Sequence, residues 1–243
     1  MHPILFVLGP ITVYSFGLTV AIAVMVCAYL MARDAERLKI SRDLVYDFVF
    51  WTALAGLLGA RIFYILLFPE NFGSPVEFLF INNGGLAWQG GLILGIVTAI
   101  WFLKKKGVSV LSFFDLASPY VALGQGIGRI GCFLNGCCHG RPVEWGPYVP
   151  LYHAHLHPSQ LYESAGLVVV FLLLKRKAGG PHLPGEITTN YLMLAAALRG
   201  VVQFFRYDYD PIFAGLGIYQ WICVGLFAAG VVVLRNLKKV NPK

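Results

Sequence analysis

The chain has 243 residues, of which 58% are hydrophobic and only 13% are charged, and its mean hydropathy is +0.69. This composition excludes an ordinary soluble globular protein, and long apolar runs predict an integral helical membrane protein. The formal net charge of +7 does not indicate DNA or RNA as a partner, because the basic residues are concentrated in alternate connections between the apolar runs.

Seven apolar runs predict seven transmembrane helices, and hence an all-α polytopic membrane protein with one integral membrane domain over residues 1–243. The runs lie at roughly residues 12–32, 46–68, 86–103, 113–135, 159–174, 187–204 and 216–234. The first run has no basic segment before it and is long enough to remain as a span. We therefore predict no cleaved signal peptide.

The distribution of lysine and arginine predicts the orientation of these spans. Fourteen basic residues follow the first, third, fifth and seventh spans, whereas the opposite connections hold only Arg141 and Arg206. The fourteen are Arg33, Arg37, Lys39, Arg42, Lys104, Lys105, Lys106, Lys175, Arg176, Lys177, Arg235, Lys238, Lys239 and Lys243. Cytoplasmic loops are the ones enriched in basic residues, so we predict an outer N-terminus and a cytoplasmic C-terminus.

The other three arginines, Arg61, Arg129 and Arg199, lie inside or at the edge of predicted spans. A charge there is costly and is usually kept for a ligand, an ion pathway or a buried partner. Asp115 and Glu163 are the nearest acids that can neutralise them. Excess positive charge in the outer half of the bundle favours an anionic ligand, most simply a phospholipid head group.

The third span begins with GGLAWQGGLILG, in which paired glycines surround Gln89. Glycine at such positions is typical of tight helix packing. Two interpretations of Gln89 remain open, a hydrogen bond to a neighbouring helix and a hydrogen bond to a ligand.

The end of the fourth span reads GQGIGRIGCFLNGCCHGR, with Arg129 in a glycine-rich apolar setting. Glycine lets backbone or a bound group approach the guanidinium, and Asn135 and Arg141 add donors nearby. Arginine suits phosphate because its planar fork binds two oxygens at once. We predict an anion site, with an arginine snorkelling to the outer interface as the structural alternative.

Three of the five cysteines, Cys132, Cys137 and Cys138, cluster next to His139. Their spacing matches no usual zinc pattern, so no metal site is predicted and simple packing is the preferred interpretation. A disulfide and a metal site remain alternatives. Cys27 and Cys223 lie in the middle of spans and are typical small packing residues.

Two long connections fall on the predicted outer side, residues 69–85 and 136–158. The second is rich in proline, glycine, histidine and aromatic residues, and we predict that it forms a small extracytoplasmic cap. Its histidines His153, His155 and His157 alternate along the chain. This alternation is one pattern of metal ligands, but the preferred interpretation is that they are loop residues, of which at most one acts as a base.

The segment HPSQLYES opens the fifth span, with Pro158 in a normal helix-start position. One interpretation is a capped helix with Tyr162 at the interface. The other is that Ser159, Gln160 and the helix N-terminus present donors to an anion.

Arg199 in the sixth span and Arg206 just after it are about two helical turns apart and are predicted to share a face with Gln203. Two arginines and an amide on one face favour a charged lining of the site. The alternative is one buried arginine pair together with one interfacial arginine.

Six segments occur in an order that resembles the prolipoprotein diacylglyceryl transferase family. They are GPITVYSFG, GARIFY, GGLAWQGGLI, GRIGCFLNGCCHGRP, HPSQLYE and LRGVVQFFR. The resemblance implies a multi-pass enzyme of the bacterial inner membrane with seven spans and no cofactor. It implies transfer of the diacylglyceryl group of phosphatidylglycerol to the lipobox cysteine thiol of exported prolipoproteins, with release of glycerol phosphate. The implied partners are phosphatidylglycerol, prolipoproteins and the lipid bilayer.

By position, the resemblance implies that Arg129 contacts the phosphatidylglycerol head group, that Arg199 is a second essential arginine and that Gly140 is required nearby. With the residue patterns above, it predicts catalytic roles for Arg129, Arg199 and His139. The predicted substrate-binding residues are Arg129, Arg61, Gln89, Asn135, Gly136, Gly140, Arg141, Ser159, Gln160, Tyr162, Gln203 and Arg206.

The chain departs from the family pattern at several positions. Gln89 stands where many members have histidine, and glutamine cannot act as a general base. Cys132 and Cys137 replace asparagine and glutamate, Gln203 replaces glutamate, and Phe16 replaces an aromatic residue that bears a hydroxyl. The arginines would lower the pKa of the incoming thiol, or His139 or His157 would take its proton.

Two other functions remain as alternatives. The first is a diverged family member that binds phospholipid, or lipidates a different acceptor, without the usual transferase activity. The second is an anion transporter, which the absence of an inverted repeat and of paired broken helices disfavours.

Overall fold

The computed structural model describes residues 2–9, 11–72 and 85–240. Within them the chain forms seven α-helices and two short hairpins, so the all-helical prediction is confirmed. The helices are α1 (Ser15–Ala35), α2 (Arg42–Leu67), α3 (Trp88–Lys105), α4 (Val110–Asn135), α5 (Ser159–Ala178), α6 (Glu186–Gln203) and α7 (Ile218–Val240). The strands are β1 (Ile4–Leu8), β2 (Ile11–Tyr14), β3 (Tyr148–Val149) and β4 (Ala154–His155).

The first predicted span begins three residues too early. Residues 12–14 belong to β2, which pairs antiparallel with β1, and α1 starts at Ser15. Ile11, Thr12 and Val13 are β-branched, and their stiff side chains favour a strand over a helix. Of the predicted outer connection over residues 69–85, residues 73–84 lie outside the described part of the chain.

Within the part of the chain that the structure describes, three segments have the length and hydropathy needed to cross a bilayer, namely Ser15–Leu38, Arg42–Leu67 and Ile218–Lys239. Their outward faces carry large apolar side chains, with Met25 62%, Phe50 61% and Leu66 70% exposed. So much exposed apolar surface is costly in water and is normal in lipid. The chain is therefore a membrane protein, whereas the number of spans and their orientation remain predictions.

The chain divides into two compact units, one of residues 32–113 and one of residues 1–31 and 114–243. In the smaller unit, α2 and α3 approach closely at Gly59 and Gly90. A Cβ atom on Gly90 would collide with Cβ of Phe63 and with the carbonyl oxygen of Gly59. Gly90 and Gly91, which follow Gln89, thus serve helix packing, as the sequence predicted.

In the larger unit, α4, α5 and α6 share an apolar core. Its buried members are Ala122, Leu167, Val170, Leu174 and Ile187. The Ser164 hydroxyl donates to the carbonyl of Gly126 across the α4–α5 contact (2.8 Å), where a glycine leaves room for the helices to approach.

Asp115 of α4 anchors the start of α6. Its carboxylate accepts hydrogen bonds from the backbone N–H groups of Gly185 (2.6 Å) and Thr188 (2.8 Å) and from the Thr188 hydroxyl (2.8 Å). An acid at a helix N-terminus satisfies donors that have no partner within the helix. Asp115 is therefore a structural anchor, and of the two acids predicted to neutralise an arginine only Glu163 is placed to do so.

Candidate functional site

The site is built around the end of α4, where the chain reverses sharply after Asn135. The N–H of Gly136 donates to the carbonyl of Phe133 (3.1 Å), and the N–H of Cys137 donates to the carbonyl of Cys132 (3.1 Å). This pair of bonds is a Schellman motif, and it requires the left-handed backbone that Gly136 adopts at φ +76°. The Asn-Gly sequence thus ends the helix and directs the following residues back over it.

Arg129 lies less than two turns before this helix end and forms an ion pair with Glu163 of α5. Its Nη2 lies 2.8 Å from Oε1 of Glu163, and the Glu163 side chain is only 9% exposed. The pair compensates the buried carboxylate while the Arg129 side chain remains 27% exposed. Arg129 is therefore held in place by a partner and is still accessible.

Arg199 of α6 differs, because its Nη1 is buried and has no hydrogen-bond partner among the described residues. Gln203 follows one helical turn later and is 1% exposed. The Gln203 amide nitrogen donates to Asp208, but its Oε1 is also buried and lacks a donor within the described ranges. Buried polar atoms without partners are rare and costly, so this pair indicates a place for a ligand with both acceptors and donors.

Arg206 does not extend the face of Arg199 by two helical turns, as the sequence spacing predicted. Helix α6 ends at Gln203, and Arg206 lies in the following turn, where its N–H donates to the Gln203 carbonyl (3.1 Å). Its guanidinium forms a two-point pair with Asp208 at 2.7 and 3.0 Å. The helix-face argument fails because it assumes that the helix continues beyond Gln203.

This pairing has an electrostatic consequence for Asp208. Hydrogen bonding to Arg206 holds the pKa of the Asp208 carboxyl below its ordinary value, although partial burial acts in the opposite direction. Arg206 therefore carries its own counter-ion. Its Nη1 also donates to the carbonyl of Cys138 (3.3 Å), which ties the turn after α6 to the loop after α4.

The segment predicted as a cap, residues 136–158, contains the β3–β4 hairpin and packs on the turn after α6. The Gly140 N–H donates to the carbonyl of His157 (2.9 Å), and the Arg141 N–H donates to the carbonyl of Phe205 (2.9 Å). A Cβ atom on Gly140 would collide with the Phe205 carbonyl oxygen and with Cβ of His157. Gly140 is thus the point at which three backbone segments meet, which explains why a glycine stands there.

The predicted residues at the start of α5 hold the loop after α4. The Ser159 hydroxyl donates to the Cys138 carbonyl (2.9 Å), and the Gln160 amide nitrogen donates to the Cys137 carbonyl (2.5 Å). Gln160 is 2% exposed, and its Oε1 has no partner in the part of the chain that the structure describes. These residues therefore position the loop, and the Gln160 oxygen remains to accept from a ligand.

The histidines of the cap engage separate partners. Nδ1 of His139 lies 3.1 Å from the Gly140 carbonyl, and its ring centroid lies 4.1 Å from that of Tyr152. Nδ1 of His157 lies 3.0 Å from the Tyr162 hydroxyl, and Nδ1 of His155 lies 2.6 Å from the carbonyl of Gly146. Within the described ranges, the alternating histidines do not form a metal cluster.

The three cysteines near Arg129 come together although their spacing matches no zinc pattern. The Sγ atoms of Cys132, Cys137 and Cys138 lie within 4.8 Å of one another, and all five cysteines, each in a described range, are free thiols. The pKa of the Cys138 thiol is lowered because the other two thiols hydrogen-bond its thiolate. The nearby guanidinium groups of Arg206 and Arg129 lower this pKa further. The sequence spacing did not reveal the cluster because it took no account of the helix end at Asn135, which turns Cys137 and Cys138 back toward Cys132.

Two predicted site residues belong to the smaller unit. Arg61 of α2 is 6% exposed, its Nη1 donates to the carbonyl of Gly85 (3.0 Å), and its guanidinium lies 5.0 Å from the ring centre of Phe72. Gln89 is an exposed residue in the first turn of α3. Whether Arg61 or Gln89 contacts a substrate stays a prediction.

Two further predicted donors lie near the cysteines, at the edge of the site. Asn135 is exposed at the end of α4 and hydrogen-bonds the Cys137 thiol. Arg141 is exposed, and its guanidinium lies 4.5 Å from the ring centre of Tyr209. Because Asn135 and Arg141 are exposed, they can contact a ligand at the protein surface more readily than a ligand that is buried beside Arg199.

An apolar groove of about 430 Å³ lies between α6 and α7. It is lined by Ala196, Ala197, Gly200, Val201, Phe204, Leu216, Gln220, Cys223, Val224, Phe227 and Ala228. Gly200 and Phe204 of this lining flank Arg199 and Gln203 in the sequence. Helix α6 therefore carries both the unpartnered polar atoms and part of a surface suited to hydrocarbon.

Comparison with known proteins agrees with the resemblance over almost the whole chain. A model of the family described as prolipoprotein diacylglyceryl transferase matches residues 3–235. A phosphatidylglycerol–prolipoprotein diacylglyceryl transferase of Bordetella avium is 33% identical, over 95% of this chain and 92% of that protein. Proteins of the same name from Clostridium tetani and Finegoldia magna are 30% and 31% identical, each with 97% or more of both chains covered.

Proposed function

Since the chain belongs to the prolipoprotein diacylglyceryl transferase family, we propose that it transfers the diacylglyceryl group of phosphatidylglycerol to the lipobox cysteine of exported prolipoproteins and releases glycerol phosphate. Its substrates are a membrane lipid and a secreted precursor. We place the chain in the bacterial inner membrane, as one integral domain with seven spans, the N-terminus outside and the C-terminus in the cytoplasm. The fourteen basic residues on one side and the two on the other support this orientation.

The unpartnered Nη1 of Arg199 is the observation that carries the proposal for the site. A phosphodiester supplies two anionic oxygens, and a guanidinium binds such a group through parallel hydrogen bonds. Arg129 lies in the same unit, already oriented by Glu163. We assign to these two arginines the phosphate of phosphatidylglycerol.

The two unpartnered amide oxygens support a head group that also bears hydroxyls. Oε1 of Gln203 and Oε1 of Gln160 can each accept a hydrogen bond, and a glycerol head group has two hydroxyls that can donate. A choline head group has no such donor. The amide oxygens therefore favour phosphatidylglycerol over phosphatidylcholine.

The groove between α6 and α7 supports a lipid rather than a soluble phosphate ester. Its lining includes Gly200, the sequence neighbour of Arg199, and is almost entirely apolar. An acyl chain laid there would bury hydrocarbon surface while its phosphate reaches Arg199. We expect one acyl chain of phosphatidylglycerol in this groove.

The chemistry joins the lipobox sulfur to the glyceryl carbon that carries the phosphate. The thiol loses its proton, the carbon–sulfur bond forms, and the carbon–oxygen bond to phosphate breaks. Negative charge thereby moves from sulfur to the departing glycerol phosphate. Donors that are already oriented toward the phosphate stabilise this shift, and such stabilisation is commonly the largest contribution to catalysis. His139 and His157 are the histidines we propose as acceptors of the thiol proton.

The test is a transfer assay with purified protein in vesicles of phosphatidylglycerol, a lipobox peptide and detection of the lipidated peptide by mass. We expect transfer by the wild type and, for Arg129→Ala, a loss of roughly 100-fold or more. Arg42→Ala is the matched control, because Arg42 pairs with Glu36 on the exposed surface.

Complementation of a strain depleted of its own transferase provides a second readout. Rescue supports the transferase. Failure of an expressed wild-type chain, together with retained phospholipid binding, would instead favour the diverged lipid binder, for which the replacement of histidine by Gln89 is the supporting feature. Wild-type activity in Arg129→Ala would remove the head-group role of this arginine.

A further inference from the structure

We propose that Cys132, Cys137 and Cys138 bind a zinc ion, and that its fourth coordination position takes the thiol of the prolipoprotein substrate. The first part of this proposal concerns a metal site and stands by itself. The second part rests on the proposed function, because it needs an acceptor that is a thiol. The sequence pattern alone predicts no metal, so the proposal comes from the geometry.

The three sulfur atoms are close to the arrangement that a zinc ion needs. They lie within 4.8 Å of one another. In a tetrahedral zinc site the Zn–S bonds are about 2.3 Å long, which places the sulfurs about 3.8 Å apart. Side-chain rotations that move each sulfur inward by a fraction of an ångström would close the site.

The backbone itself produces this triangle. In a Schellman motif the side chains at the two ends of the longer hydrogen bond meet, and here those residues are Cys132 and Cys137. The next residue, Cys138, has φ +60°, a left-handed conformation that is uncommon for a residue other than glycine. Such strain persists only where surrounding contacts hold it, and it is frequent at functional sites.

Three side chains outside the cluster hold this loop. Gln160 donates to the Cys137 carbonyl, and both Ser159 and Arg206 donate to the Cys138 carbonyl. The carbonyls are thereby fixed while the three thiols remain directed toward one another. Outer contacts of this kind orient metal ligands and raise metal affinity.

The ligand set specifies the chemistry. Thiolates are soft ligands that select zinc over magnesium or calcium. Within the described ranges no histidine or carboxylate joins the three cysteines, which leaves one tetrahedral position for a substrate or water. Cys132 is buried, whereas Cys137 and Cys138 are partly exposed, so that an ion and a substrate can reach the cluster.

The surrounding charge fits a zinc–thiolate complex. Three thiolates and Zn²⁺ carry a net charge of −1, and a fourth thiolate makes it −2. The guanidinium groups of Arg129 and Arg206 act electrostatically on this cluster. They offset the negative charge of the complex, and Arg129 is also one of the two arginines proposed to bind the phosphate.

This site would supply the activation that Gln89 cannot give. A thiol bound to zinc loses its proton, which passes by way of water to His139 or His157, and remains nucleophilic as a bound thiolate. Its sulfur attacks the glyceryl carbon, the carbon–oxygen bond breaks, and glycerol phosphate leaves with the bonding electrons. The thioether product is a poor zinc ligand, so it departs and water takes its place. No oxidant or reductant is needed.

The first experiment measures the metal. Protein purified in detergent without chelators should contain about one zinc ion per chain, and cobalt should replace zinc with thiolate-to-cobalt absorption in the near ultraviolet. Cys137→Ser should lower the zinc content by roughly tenfold or more. Cys27→Ser is the matched control and should bind zinc as the wild type does. Zinc-free wild type that also gives no cobalt–thiolate absorption overturns the proposal without relying on any variant.

The second experiment measures the substrate thiol. A lipobox peptide added to the cobalt-substituted protein should shift the thiolate-to-cobalt absorption, whereas the same peptide with serine in place of its cysteine should not. Stripping the metal should reduce diacylglyceryl transfer roughly tenfold or more, and zinc should restore it. Full transfer by metal-free protein overturns the zinc proposal and leaves the proposed function standing. Bound zinc with no transfer by intact protein contradicts the proposed function instead.

Discussion

Arg61 and Arg199 are both arginines in apolar helices, yet their surroundings differ. Arg61 is 6% exposed, donates to the Gly85 carbonyl and lies over the ring of Phe72. Arg199 lies over Tyr219 at 5.9 Å but leaves a buried Nη1 without a partner in the described residues. The guanidinium of Arg61 thus links α2 to Gly85, in the segment before α3. The surroundings of Arg199, in contrast, leave a buried N–H donor without an acceptor in the described residues.

The presence or absence of an acceptor for a buried N–H group is what distinguishes an arginine with a structural role from one that binds a ligand. A buried donor with no acceptor costs about 1–3 kcal/mol, and that cost is retained only where a ligand offsets it. The sequence cannot make this distinction, because both arginines occur in apolar runs of similar composition.

The largest effect is expected from Arg199→Ala. Removing a donor that is directed at a developing charge should lower the rate of diacylglyceryl transfer roughly 100- to 1,000-fold. Thermal stability should stay the same or rise slightly, because the variant removes an unsatisfied buried group. Rates in phosphatidylglycerol vesicles and unfolding in detergent measure the two quantities. If Arg199→Ala is less stable than the wild type but its folded fraction transfers diacylglyceryl at the wild-type rate, Arg199 has a structural role and does not bind the phosphate.

Arg61→Ala should show the opposite pattern. The variant leaves the Gly85 carbonyl without this donor and removes the contact with Phe72, for a destabilisation of about 2–3 kcal/mol. Unfolding in detergent measures this loss, and transfer by the protein that stays folded should remain near that of the wild type. A stable Arg61→Ala protein that is inactive in transfer would instead assign Arg61 to the substrate, as the sequence predicted.

A pair of glycine variants extends the contrast to the backbone. Gly140→Ala would push the Phe205 carbonyl and His157 apart beside the proposed site, and Gly90→Ala would separate α2 from α3. Overpacking of this kind costs about 1–3 kcal/mol. We expect Gly140→Ala to lower transfer more than stability and Gly90→Ala to lower stability more than transfer. Equal losses of both quantities in the two variants would argue against separate roles.

The smallest effect is expected from Asp208→Asn, which removes the counter-ion of Arg206. Because the folded-state pKa of Asp208 lies below its ordinary value, its stabilisation is fully present above a pH of about 4 and is lost as the pH falls through the folded-state value. The side chain is 44% exposed, so screening limits the contribution to less than about 1 kcal/mol.

Unfolding of the wild type and of Asp208→Asn, followed from neutral to acidic pH, measures this contribution. The gap between the two proteins should be widest near neutrality and should close on acidification. A gap that stays constant with pH would show that the charge of Asp208 is irrelevant to stability.

Most helices could be predicted from the sequence, because apolar runs ended by basic clusters or glycine are strong signals. All seven helices overlap a predicted span. The failures occurred where the local backbone overrides hydropathy. Residues 12–14 are apolar enough to be counted in the first span but form a strand that pairs with β1, and Arg206 was predicted on the face of α6 although that helix ends at Gln203.

The chemical types of the site residues could also be predicted, but their partners could not. Glu163 was a candidate partner for an arginine, and it pairs with Arg129. The sequence does not indicate that Arg206 has its own acid in Asp208 or that Ser159 and Gln160 hold the loop of Cys137 and Cys138. The cysteine triangle could have been anticipated by treating Asn-Gly as a Schellman stop, which brings Cys132 and Cys137 together.

The most direct test of the contrast between the two arginines measures the proximity of guanidinium groups to the lipid phosphate. Solid-state NMR of protein labelled at its arginine side chains, in phosphatidylglycerol bilayers, reports guanidinium carbons whose signals are dephased by phosphorus. We predict that this dephasing weakens in Arg199→Ala and persists at its wild-type strength in Arg61→Ala. Unchanged dephasing in Arg199→Ala would contradict the assignment of this arginine to the phosphate.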